Sequence, residues 1–157
     1  MRLYLCRHGQ AQSMAASDAL RSLTGEGEKE VTALWDRLHA AGISPRRVVS
    51  SPYLRAQQTA RLAAAQCAAV DQVSETELLV PDASPAALID WLHSQPDPDG
   101  LLLVTHMPLI ALLTSMLAGA QGDGLAFPTG AVVALDMDVV ARDCATLVWL
   151  RAPGESF

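Results

Sequence analysis

Arg7-His8-Gly9 follows the apolar run Leu3-Tyr4-Leu5-Cys6, and Thr105-His106 follows the apolar run Leu101-Leu102-Leu103-Val104. A shorter pair, Val48-Val49, leads through Ser51-Pro52 to Arg55. Each run reads as a β-strand, with its polar group just beyond the carboxyl end. Open α/β sheets bind ligands outside those ends, so three strand exits bring two arginines and two histidines to one edge. No carboxylate adjoins them in the chain.

That inventory suits phosphoryl transfer. A phosphoryl group in transit spreads charge over its equatorial oxygens, and catalysis consists mainly of positioned cations and donors. A guanidinium is a planar, permanently charged fork that grips two oxygens together. Gly9 offers backbone that an anion could approach closely. A helix opening at Ser51-Pro52 would add the field of its N-terminus. Positive charge beside His8 disfavours the imidazolium and leaves the ring neutral and nucleophilic near neutral pH.

Strand-like runs and helix-period segments alternate along the chain. Thr24 reads as an N-cap, followed by Val31, Leu34, Trp35 and Leu38 on one helical face, with Gly42 closing the helix. Ser51-Pro52 reads as a cap with proline at the first helical position, opening a helix to about Cys67. Gln72 to Ser74 is a third, weaker strand. Ser84-Pro85 repeats the start signal, with Ala87, Leu88, Trp91 and Leu92 as its buried stripe. The Leu101–Val104 run has the pattern of a strand covered on both faces, and Pro108 starts a helix ending near Gly119. Ala131 to Met137 and Thr146 to Leu150 predict an edge hairpin. The expected class is α/β: a three-layer α/β/α sandwich with a mostly parallel sheet and a C-terminal antiparallel edge hairpin.

At 157 residues the chain is expected to form one domain, 1–157. Hydrophobic residues make up 50% but aromatics only 4%, so Leu, Val and Ala must fill the core. A net charge of -6 argues against a nucleic-acid partner, though a few arginines in a cleft still admit an anionic substrate. Cys6, Cys67 and Cys144 are odd in number and widely spaced, which suits a reducing compartment. The apolar run before Arg7 is too short for a signal-peptide core, and Pro108 to Gly119 is too short to cross a bilayer. A soluble, cytoplasmic monomer without a membrane partner is expected.

Four ordered segments resemble the histidine phosphatase superfamily, which also contains the phosphoglycerate mutases. Met1 to Ala11 is similar to its opening strand and Arg-His-Gly signature. Leu23-Thr24-Gly25-Glu26-Gly27 resembles its Leu-Thr-x-x-Gly helix start. Ser51 to Ala60 is close to its Ser-Pro-x-x-Arg-Ala-x-Gln-Thr-Ala block, and Val104-Thr105-His106 matches its second catalytic histidine. The short length and the segment Ala15 to Thr24 resemble the SixA-type phosphohistidine phosphatases within it. His106-Met107-Pro108-Leu109 and Phe127-Pro128-Thr129-Gly130-Ala131 extend the likeness over most of the chain.

The resemblance implies a phosphoglycerate mutase-like fold and makes His8 the nucleophile that becomes phosphohistidine. It implies a phosphate pocket of Arg7, Arg55 and His106, with Arg21 closing from the loop. Water would then release phosphate from His8. The superfamily's mutases use a glutamate general acid near a long insertion that is missing here. Glu77 lies near that place in chain order and Asp18 lies in the loop, so both are candidates. An imidazole leaving group needs less acid help than an alkoxide, so a site without a strong acid suits a P–N bond.

Two substrate classes therefore stay open: phosphohistidine on a phosphotransfer protein, or a small phosphate ester such as a sugar phosphate. A third reading is a non-catalytic module that binds phosphoproteins, against which stand the full sets of histidines and arginines. A cysteine phosphatase of the Cys-x5-Arg type would need arginine at position 12, where Gln12 stands. A metal site on His8 and His106 would lack carboxylate or thiolate partners and sit among arginines. No cofactor is called for, because the arginines supply the positive charge.

Overall fold

The computed structural model describes residues 1–67, 71 and 73–156. In chain order it contains β1 (Arg2–Arg7), α1 (Gly25–Ala40), β2 (Arg47–Ser50), α2 (Leu54–Ala65), β3 (Val73–Glu75) and α3 (Pro85–Ser94). Then come β4 (Leu101–Thr105), α4 (Leu109–Ala118), β5 (Val132–Met137) and β6 (Ala145–Arg151). Gln72, the expected start of the third strand, lies outside the described residues.

The six strands form one sheet in the order β3-β2-β4-β1-β5-β6. Its first four members are parallel, whereas β5 runs antiparallel to β1 and β6 antiparallel to β5. The mostly parallel sheet with a C-terminal hairpin at its edge is as expected.

Strand side chains alternate between faces, and β1 shows the consequence. Leu3 and Leu5 join a core with Leu88, Leu92, Leu109 and Ile110 of α3 and α4. Tyr4 and Cys6 face the opposite way, into a core with Val31, Leu34, Trp35 and Leu38 of α1 and Ala56, Ala60, Ala63 and Ala64 of α2. Every residue of β4 is buried, as a central parallel strand covered on both faces requires.

Helix ends follow local chemistry. The Thr24 hydroxyl accepts the N–H of Gly27 and opens α1, while Ser84 accepts that of Ala87 and opens α3. The buried stripe of α3 is Leu88, Ile89 and Leu92. Ala87 is exposed and Trp91 half-buried, which corrects the expected stripe by one position. Among the described residues no helix is long and apolar enough to cross a membrane.

The register matters most for the site. Arg7 pairs with Thr105 across β1 and β4, and Ser50 pairs with Val104 across β2 and β4. The three strands therefore end level. Beyond them, His8 N–H donates to Thr105 O at 3.0 Å and Ser51 N–H to Val104 O at 2.9 Å. These bonds continue the sheet by one residue and set His8, Ser51 and His106 side by side.

Candidate active site

Arg7, His8, Asp18, Arg21, Arg55 and His106 line an open cleft of about 380 Å³ above those strand ends. Both histidines are buried, and their ring centroids lie 5.0 Å apart. All four residues read from the strand exits meet here.

His8 is held in one tautomer. Its Nδ1 lies 2.7 Å from the carbonyl oxygen of Gly9. A carbonyl only accepts, so Nδ1 carries the proton and Nε2 keeps its lone pair. That lone pair accepts the Nε–H of Arg55 across a long 3.3 Å. Burial, opposed by the Gly9 bond and reinforced by the charges of Arg55, Arg7 and Arg21, pushes the His8 pKa down to about 4. The ring is neutral at ordinary pH, with its nucleophilic nitrogen facing the arginines.

Burial likewise drives His106 down to about 3, followed in effect by His8 and Arg55. Its Nε2 lies 2.8 Å from the Ser51 hydroxyl, and the edge of the Tyr53 ring packs against it, centroids 5.0 Å apart.

The arginines are braced from several elements. Arg7 donates from Nη1 to Phe127 O at 2.7 Å, in the segment leading into β5. Arg55 sits in the first turn of α2, with its guanidinium 5.1 Å from the centre of the Tyr53 ring. Its Nη1 donates to Asp18 O at 2.7 Å and its Nη2 to Asp18 Oδ2 at 3.2 Å. Arg21 donates from Nε to Asp18 Oδ1 at 2.8 Å and from Nη1 to Gln12 O at 3.0 Å. One carboxylate thus ties the loop arginine to the helix arginine.

Asp18 is held as a carboxylate between the two arginines. Desolvation is the largest single influence and raises its pKa, but the bonds and charges of Arg21 and Arg55 together outweigh it and hold the carboxyl below its usual range. Glu77 is exposed in a short 3-10 turn, Glu77–Leu79, and does not line the cleft. The turn faces β4 through Leu79, whose carbonyl accepts the Thr105 hydroxyl at 2.7 Å, and this leaves Glu77 outside.

Gly9 departs from its expected role on the anion. Its N–H is spent on Thr59 Oγ1 at 3.0 Å. A Cβ at Gly9 would come within 2.6 Å of Val31 Cγ2, and one at Gly27 within 2.2 Å of Gln10 O. These glycines let the chain after β1 press against the start of α1. The smallness serves packing beneath His8.

Ser51 does not cap α2. The helix begins at Leu54, with Tyr53 O accepting the N–H groups of Ala56 and Gln57. The Ser51 hydroxyl instead accepts the Tyr53 N–H at 3.2 Å, a turn two residues long, and meets His106. Thr59 is a residue that sequence reasoning left unassigned. It accepts from Gly9 and donates to Arg55 O at 2.8 Å, linking the His8 loop to α2. Its place in the Ser51–Ala60 block was the available signal. Thr129 lines the cleft, while Thr105 is committed to Leu79.

An uncharged imidazole with an unprotonated Nε2 can accept a phosphoryl group, and two forks of positive charge beside it can hold the oxygens. The model of the histidine phosphatase superfamily, branch 1, matches residues 3–79. A Haemophilus influenzae protein, a phosphohistidine phosphatase SixA homolog, is 30% identical over 137 residues, covering 77% of this chain and 79% of its own. The Escherichia coli K12 phosphohistidine phosphatase SixA is 28% identical over 160 residues, covering 98% and 94%. The solved structure of the protein histidine phosphatase SixA complexed with tungstate superposes with a TM-score of 0.89 at 26% identity, covering 98% of this chain and 97% of that one.

Proposed function

The chain belongs to the histidine phosphatase superfamily, SixA type, and is a phosphatase; we propose that its substrate is a phosphohistidine on a protein and that His8 carries the phosphoryl group in transit. The observation behind the substrate choice is the state of the carboxylates. Asp18 is held ionised between two arginines, and Glu77 lies outside the cleft. An alkoxide leaving group wants a proton from a positioned acid, whereas an imidazole departs once solvent protonates its nitrogen.

In the first step the donor ring takes a proton from solvent on its other nitrogen, the Nε2 lone pair of His8 attacks phosphorus, and the P–N bond to the donor ring breaks so that it leaves as neutral imidazole. Arg7, Arg55 and His106 hold the phosphoryl oxygens, and Arg21 covers them from the loop. In the second step water attacks phosphorus, the P–N bond to His8 breaks, and phosphate leaves with the ring neutral again. The tungstate in the related structure is a tetrahedral oxyanion, the shape this pocket would receive. An open cleft admits a side chain projecting from a partner, which favours a phosphotransfer domain of a signalling relay as that partner.

A rapid-quench experiment tests the reading. Mixing with a phosphohistidine-bearing phosphotransfer domain is expected to leave acid-labile phosphate on His8 within one turnover, and His8→Ala to abolish both label and turnover. Steady-state kcat/KM is expected to favour that protein over small phosphomonoesters. Higher kcat/KM for a sugar phosphate would overturn the substrate assignment.

A further inference from the structure

Because burial and the positive charge of its neighbours keep His106 neutral, the ring has one N–H to offer, and which nitrogen bears it decides what it can bind. The cleft-lining ring has two nitrogens in different positions. Nε2 faces the Ser51 hydroxyl at 2.8 Å, while Nδ1 is buried and has no partner among the described residues.

The hydroxyl and a bound anion together decide the choice. Ser51 Oγ already accepts the Tyr53 N–H at 3.2 Å. Were Nε2 also a donor, the hydroxyl proton would have no acceptor among the described residues, although Ser51 is fully buried. Buried polar hydrogens are rarely left unpaired, and either tautomer leaves one in the empty cleft, the hydroxyl proton or Nδ1–H; of the two, only the N–H belongs to a ring that lines the cleft, where a bound anion can pair it. The hydroxyl proton therefore goes to Nε2, and the ring proton resides on Nδ1. The unpaired N–H then awaits an acceptor, and a phosphoryl oxygen is an acceptor.

We propose that Ser51 is a positioning residue: its hydroxyl donates to Nε2 of His106, fixing the tautomer in which Nδ1–H bonds an oxygen of the transferring phosphoryl group. The proposal rests on the phosphatase reading of the same cleft. It gives Ser51 a role that a helix cap would not have, since the hydroxyl acts through His106 and never touches substrate.

The imidazole 15N shifts of the wild-type enzyme, assigned by the loss of one set in His106→Asn, report the tautomer directly. The expected result is a protonated Nδ1 and an unprotonated, hydrogen-bonded Nε2, with the Nδ1 resonance moving when tungstate is added. In Ser51→Ala the two tautomers should mix. With phosphohistidine protein as substrate, kcat should fall about 10- to 100-fold, as for outer partners of functional imidazoles, while KM changes little. Ser51→Thr, which keeps the hydroxyl, should recover most of the loss. A wild-type His106 protonated at Nε2, or a folded Ser51→Ala enzyme with wild-type kcat, would overturn the assignment. If Ser51→Ala does not fold, the wild-type spectrum alone decides. A chain inactive on every phosphohistidine donor would refute the substrate reading, and the spectrum would still judge the tautomer.

Discussion

The Nε–H of Arg55 meets the lone pair of His8 Nε2 at 3.3 Å, while the other two nitrogens of that guanidinium are held by the carbonyl and the carboxylate of Asp18. The cation thus faces the one atom that would bond phosphorus, and its orientation is set from the opposite side. The contact to His8 is long enough to be given up cheaply when the lone pair turns to phosphorus.

Replacing Arg55 tests whether the fork or only the charge matters. Lysine keeps the charge but cannot hold Asp18 at two atoms and still present an N–H to His8. Arg55→Lys is expected to lower kcat/KM on the order of 10²-fold, and Arg55→Ala at least as much. Steady-state assays on phosphohistidine protein read this. A lysine variant within about fivefold of wild type would mean that a point charge suffices.

The carboxylates separate the two leaving-group chemistries. Glu77→Gln is expected to leave kcat and KM within about twofold, because the side chain is exposed and away from the cleft. Asp18→Asn should act mainly through KM, by loosening Arg21 and removing a negative charge beside an anionic ligand. A loss of kcat of about 10²-fold or more in either variant would mark that residue as the general acid.

The pH profile follows from the two depressed histidines. Folded His8 titrates at about 4 and folded His106 at about 3, against roughly 6.5 for an unfolded imidazole. Activity requires the neutral nucleophile, so kcat/KM should stay level from neutrality down to about pH 5 and fall below it. Stability moves in the same direction. Between the folded and unfolded values the unfolded chain binds more protons, so stability is lost as pH falls from about 6.5 toward 4. Thermal melts across that window should show Tm dropping, with a shallower slope in His106→Asn. A decline in kcat/KM centred near pH 6.5 would contradict a buried, neutral His8.

Much of this arrangement was legible in the chain because parallel strands end where their apolar runs end. Leu3–Cys6 and Leu101–Val104 each stop at a polar pair, and an α/β sheet carries such exits to a common edge. What stayed hidden depends on partners distant in sequence. Ser51-Pro52 has the local signature of a helix start, yet its hydroxyl is claimed by Tyr53 and by His106, 55 positions away. Gly9 has the type that suits an anion loop, but Val31 on α1 supplies the reason for its size. Asp18 has no local mark of its task, which appears only when Arg55 arrives from α2. Residue types announced the chemistry, and packing between elements assigned the supports.

Thr59 is the support whose loss should be felt most plainly. Its hydroxyl accepts the Gly9 N–H at 3.0 Å and donates to Arg55 O at 2.8 Å, in a fully buried position. The carbonyl of that same Gly9 takes the Nδ1 proton of His8 at 2.7 Å. One residue thus ties the nucleophile's orientation to the helix that carries Arg55. Valine has nearly the same shape but cannot accept, so the Gly9 N–H would be buried without a partner at a cost of about 1–3 kcal/mol. For a chain of this length that corresponds to a Tm lower by about 2–12 °C. Because the Gly9 peptide would also shift, kcat in Thr59→Val should fall with the Tm, whereas Thr59→Ser, which keeps the hydroxyl, should recover kcat. Calorimetry and single-turnover phosphorylation of His8 measure the two effects separately. A valine variant with wild-type Tm and wild-type phosphorylation rate would show that the hydroxyl supports neither.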